Sequence, residues 1–163
     1  MLESLNPSVF VDARAADWTE PFGYRLQPTA LRFELGEVSF AAKLGLGVAL
    51  DYALSLGLDN IEARVRRLAD TLRAALAELP AVTVRDLGVD LSGICTFTVA
   101  DVAAPDAVGR LRQGGFNTSV GAKEMSRLDL GMRGLDSVVR ASIHYYNTDD
   151  EIDRFVGAVA ALS

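Results

Sequence analysis

Apolar positions recur at helical spacing along some stretches of the chain and alternate along others, and that pattern sets the order of elements. From Val38 to Leu56 the chain is apolar nearly all round a helical wheel, with Gly45 and Gly47 offering close backbone approach. The pattern predicts a buried helix covered on most sides. Gly57 ends it, and Asp59 followed by Glu62 predicts a capping box at the start of the next helix. There Ile61, Val65, Leu68, Leu72, Leu76 and Leu79 recur at spacings of three and four until Pro80. Alternation then predicts strands over Val82 to Arg85 and Gly93 to Val99, with Val82, Val84, Cys95, Phe97 and Val99 inward, and the two as a hairpin. Pro105 opens a helix that Gly114 and Gly115 stop. Further strands are predicted over Phe116 to Val120 and Val138 to Tyr146, and the last helix buries Ile152, Phe155, Val156 and Val159.

The densest stretch is Val139 to Glu151, VRASIHYYNTDDE. Alternation puts Val139, Ala141, Ile143 and Tyr145 on one face and Arg140, Ser142, His144 and Tyr146 on the other. Thr148 and Glu151 then have the spacing of a capping box, which fixes the turn that follows the strand. Two long helices, followed by short strands interleaved with two more helices, predict an α+β fold, a two-layer sandwich. Residues 1 to about 33 fit this scheme least. They are aromatic and proline-bearing, with one short strand-like run at Val9 to Val11, and read as a lead-in lying over a surface supplied by another chain or an N-terminal part.

Composition narrows the function. The 163 residues suit one domain without disulfides. A formal charge of −6 argues against a nucleic-acid partner, and Arg64, Arg66 and Arg67 read as a solvated helix face. The single cysteine, an N-terminus with acids where a signal peptide would carry basic residues and without an apolar core, and the interruption of Phe40 to Leu58 by Lys43 and Asp51 point to a cytoplasmic protein without a membrane span.

The candidate chemistry is thin. Cys95 lies on an inward strand face, where a thiol behaves as a small hydrophobe. His144 and Ser142 share a face without the spacing of a triad, and no metal-ligand motif is present. Gly45-Leu46-Gly47 falls inside a helix rather than after a strand, and the acids Asp149, Asp150, Glu151 and Asp153 suit a helix N-terminus. Neither lysine, Lys43 or Lys123, has the setting of a Schiff-base amine. Arg140 remains, either as an exposed strand cation or as a bidentate clamp for a substrate carboxylate.

Val139-Arg140-Ala141-Ser142 followed by Tyr146-Asn147-Thr148 resembles the C-terminal signature of class V aminotransferases, the group that includes cysteine desulfurases and selenocysteine lyases. Arg32-Phe33-Glu34 with Gly36, the helix bearing Gly45-Leu46-Gly47 and Leu50-Asp51-Tyr52, the spacing of Gly57 and Ile61, and the GGFNTSV stretch resemble the same enzymes. The resemblance implies the small C-terminal domain of a dimeric fold-type-I enzyme over residues 34–163, with residues 1–33 as a segment packed on a large domain. It also implies pyridoxal phosphate (PLP) as cofactor of the complete enzyme, an amino-acid substrate, and Arg140 as the residue that binds its α-carboxylate. The lysine, aspartate and ring-stacking residue that hold the cofactor belong to the large domain. The resemblance therefore implies a chain that alone binds no cofactor and is inactive until it meets that domain or a homodimer partner. Two departures stand out: Gly121 to Val138 lacks the persulfide-forming cysteine of desulfurases, and Glu37 stands where relatives tend to carry a threonine that reaches the cofactor phosphate. The alternative is a non-enzymatic association module that docks through the opening segment and the apolar helix.

Overall fold

The computed structural model describes residues 4–7, 15–34 and 38–162, which fall into two compact units, residues 1–53 and 54–163. The Val9 to Val11 run and Glu37 lie outside the described residues.

In the first unit, β1 (Ala16–Thr19) and β2 (Gly23–Leu26) form an antiparallel hairpin with Ala16 opposite Leu26 and Thr19 opposite Gly23. The sequence pattern did not predict it, because strands of four residues barely alternate. A 3-10 turn over Ala30–Phe33 follows, its first N–H groups served by the Thr29 hydroxyl, which accepts from the Leu31 N–H at 3.4 Å. Arg32 is buried here and donates to the carbonyls of Gln27 (2.7 Å) and Leu5 (3.1 Å).

Helix α1 (Phe40–Leu56) forms as its composition predicts, but it is not buried. Leu44 is 74% exposed and Val48 70%, and an added Cβ at Gly45 or Gly47 would meet nothing within 4 Å. The predicted cover and close backbone approach are absent among the described residues. Apolar composition calls for cover but does not say that the same chain supplies it.

The second unit is a two-layer α+β sandwich. Its elements are α2 (Leu58–Ala77), β3 (Val82–Val84), β4 (Ile94–Val99), α3 (Ala104–Gln113), β5 (Ser119–Ala122), β6 (Ser137–Ser142) and α4 (Asp149–Ala160). The strands run antiparallel in the order β3-β4-β6-β5. Leu68, Leu72 and Leu76 of α2, Leu111 of α3 and Phe155 and Val159 of α4 pack on Cys95, Phe97, Val99, Val139 and Ala141, the residues of one sheet face. Phe155 anchors the layer contact, meeting Phe97 and Phe116 edge-on at 6.2 and 5.4 Å between ring centroids. Burying each such large side chain contributes about 1.5–3 kcal/mol.

Three local expectations need correction. Helix α2 begins at Leu58 with Gly57 as its cap and no side-chain cap bond, so Asp59 and Glu62 do not form a box; Glu62 pairs with Arg66 at 2.8 Å instead. The third strand runs over Ser119–Ala122 rather than from Phe116. The last strand stops at Ser142, because the chain turns where the His144 N–H donates to the Asn147 side chain (2.9 Å) and the Asn147 N–H to the His144 carbonyl (3.0 Å).

Candidate functional site

Strand β6 carries Val139 and Ala141 into the core and turns Arg140 to the opposite, open face of the sheet. Register sets Thr96 of β4 directly across from Arg140 on one side and Ser119 of β5 on the other. The segment between β5 and β6, which contains a 3-10 turn over Lys123–Met125 and a π-type turn over Arg127–Gly131, borders this face and contributes the buried Leu130. Together they form a cleft of about 620 Å³ with Arg140 in its wall.

Most charged groups around the cleft are already engaged. Arg133 pairs with Asp129 (3.1 Å) and donates to the Arg85 carbonyl (2.5 Å), while Arg85 Nε donates to Thr98 Oγ1 (3.0 Å). Asp90 pairs with Arg66 at 3.3 Å. Asp86 accepts from Arg73 Nε (2.7 Å) and from both the N–H and the hydroxyl of Thr96 (2.7 and 2.5 Å). Arg140 is exposed, and its side chain has no hydrogen bond or ion pair among the described residues. It is a cation on a strand paired on both sides.

The turn after β6 is fastened from three directions. Arg64 of α2 donates to the carbonyls of Tyr145 (3.1 Å) and Asn147 (2.8 Å), and Arg67 grips Asp149 with two bonds of 2.6 and 3.1 Å. These arginines are therefore latches rather than the solvated face expected of them. The predicted capping box is formed: the Glu151 N–H donates to Thr148 Oγ1 (3.2 Å) and the Thr148 N–H to Glu151 Oε2 (3.0 Å). The bond from Arg67 holds the Asp149 carboxyl below its ordinary range, and that from the Thr148 N–H does the same for Glu151.

The other candidates separate from this cleft. Cys95 is fully buried on the core face, where loss of solvation and then the charge of Asp86 push its thiol up to about 12. His144 stacks on Tyr146 with ring centroids 4.6 Å apart. Lys123 is held by Asp136, whose hydrogen bond and charge raise its pKa, the reverse of what a nucleophilic amine needs. Lys43 sits exposed on α1. Neither lysine therefore has the desolvated setting of a Schiff-base amine. A second cleft, of about 460 Å³, opens between Gly114–Thr118, the end of β6 and the start of α4. Thr118 Oγ1 is buried there without a partner among the described residues. Sequence reasoning missed Asp86 and Arg73, although Arg73 follows Ala69 by four residues beside the apolar stripe of α2, an unusual place for an unpaired cation.

Comparison with known proteins fits this arrangement. The chain is 37% identical over 129 residues to a cysteine desulfurase of Dickeya dadantii, covering 78% of this chain and 31% of that protein. It is 33% identical over 151 residues to a probable hercynylcysteine sulfoxide lyase of Mycobacterium tuberculosis, covering 91% and 36%. A solved cysteine desulfurase from Escherichia coli superposes with a TM-score of 0.78 at 25% identity, over 98% of this chain and 39% of that one. The chain thus spans about a third of the length of the relatives it matches. Its sheet and helices are part of the fold-type-I architecture implied by the resemblance. The aminotransferase class-V family model matches residues 1–155, and with two relatives above 30% identity and the shared fold it places this chain in the class V aminotransferase family.

Proposed function

We propose that this chain is the substrate-clamping part of a PLP-dependent class V enzyme acting on an amino acid, with Arg140 as the clamp for the substrate α-carboxylate. The observation that carries the reading is the unpartnered guanidinium of Arg140 on the open sheet face, among charged neighbours that already have partners. A planar guanidinium on a strand fixed at its far end by Arg64, Arg67 and the Thr148 cap offers two parallel donors in a set direction. PLP, when bound in the complete enzyme, would supply the electron sink, held by residues of a large domain or a homodimer partner. This chain's share is to orient the acid. The segment Gly121 to Val138 offers no thiol to accept sulfur, which favours a small-molecule leaving group over transfer to the protein.

The test uses the chain assembled with a large domain and compares an amino acid with its amide. Arg140→Ala is expected to raise KM for the acid about 10²-fold, as truncating one side of a buried charged pair does, and to leave the amide unaffected. Equal effects on acid and amide would refute the clamp. The exposed apolar surface of α1 supports a second reading, an association module without its own chemistry. Assembly that restores neither cofactor absorbance nor turnover would favour it.

A further inference from the structure

Asp86 and Arg140 lie on either side of Thr96. Asp86 binds Thr96, which is Arg140's cross-strand partner, and both line the same cleft. An uncommitted carboxylate in the same cleft would compete with a substrate for the guanidinium. Asp86 is committed, however. Its side chain is 8% exposed and faces the 9% exposed side chain of Arg73, whose Nε donates to Oδ2 at 2.7 Å. Arg73 is itself tied down, donating to the carbonyls of Ser92 (2.6 Å) and Ile94 (2.9 Å) and pairing with Asp70 at 3.4 Å. The other carboxylate oxygen is filled by the N–H and hydroxyl of Thr96.

We infer that Arg73 is a positioning residue for Arg140: by neutralising Asp86 and satisfying it from the helix layer, it keeps Arg140 free for a carboxylate from outside. The inference rests on the reading of Arg140 as a clamp, and it gives the buried pair a role beyond packing. Removing one partner of such a pair leaves an uncompensated charge. With Arg73 gone, Asp86 turns to the cation on the far side of Thr96.

The experiment needs no substrate. The 163-residue chain is treated with phenylglyoxal, and labelling of Arg140 is followed by peptide mass spectrometry. Arg73→Met is expected to slow Arg140 labelling about fivefold, the population effect of one new ion pair. Adding Asp86→Asn to that variant should restore the wild-type rate. Slower labelling at an exposed arginine is something a purely structural role for Arg73 would not produce, since a loosened fold gives reagents more access. Wild-type labelling in a folded Arg73→Met chain would overturn the inference. Asp86→Asn alone gives a measurement that does not depend on Arg73→Met folding: Arg140 labelling should be unchanged, and a rise would show that Asp86 already holds Arg140, which also overturns it. Because labelling reads the freedom of Arg140 without a ligand, its outcome is separate from the acid-versus-amide comparison that tests the clamp itself.

Discussion

Thr148 and Glu151 satisfy each other's backbone donors at the start of α4, and this small reciprocal unit holds the turn that follows the Arg140 strand. Removing the hydroxyl by Thr148→Ala should cost about 1 kcal/mol in urea unfolding, the usual worth of such a cap. Glu151 adds a dependence on pH. The Thr148 N–H and then the Asn147 amide hold its pKa below that of a free glutamate. The folded state therefore prefers the ionised form more than the unfolded state does. Its contribution is complete above the unfolded pKa and is lost as pH falls through the folded one. Glu151→Gln should flatten that part of the melting-temperature profile between neutral and acid pH, and an unchanged acid slope would show that the carboxylate contributes nothing. Thr148 and Glu151 were legible in the sequence because a capping box is local, three residues apart. Asp86, Thr96 and Arg73 were not, because their meeting depends on how α2 lies against β4.

Elements whose period is written over many residues were read well. Five apolar positions of α2, Ile61, Val65, Leu68, Leu72 and Leu76, at spacings of three and four specify its core-facing side, and Ile152, Phe155 and Val159 do the same for α4. Elements of a few residues were read poorly. The β1–β2 hairpin went unseen, and the ends of β5 and β6 were misplaced, since a strand's limits are set by its neighbours' hydrogen bonds as much as by its own alternation. Gly93, at the entrance to β4, shows how tightly those neighbours fit. A Cβ there would stand 2.6 Å from Val65 Cγ1 on α2 and 2.7 Å from the Ile143 carbonyl oxygen beyond β6. The second contact is with backbone, in the same pairing in which the Ile143 N–H donates to the Gly93 carbonyl at 2.7 Å. Gly93→Ala should thus lower stability by about 1–3 kcal/mol, the cost of overpacking. The loss should appear as faster amide exchange at Ile143, the point where α2, β4 and the turn after β6 come together.

At the scale of the whole molecule, the decisive feature is an apolar helix whose described residues are exposed. Leu46 is 60% exposed and Leu50 55%, alongside Leu44, Val48 and Leu54. A helix apolar on all sides is stable in water only when something covers it. The relatives are about three times as long as the stretch they share with this chain, and under the proposed function a large domain supplies the cover. This gives opposite expectations for one pair of substitutions. In the 163-residue chain, Leu46→Glu with Leu50→Glu should leave the unfolding free energy of residues 54–163 within about 0.5 kcal/mol, as for exposed positions. It should also reduce self-association measured by sedimentation. In the presence of a large domain the same substitutions should abolish assembly, because each places a carboxylate where an apolar contact forms. Retention of assembly by the doubly substituted chain would show that α1 is not a docking surface.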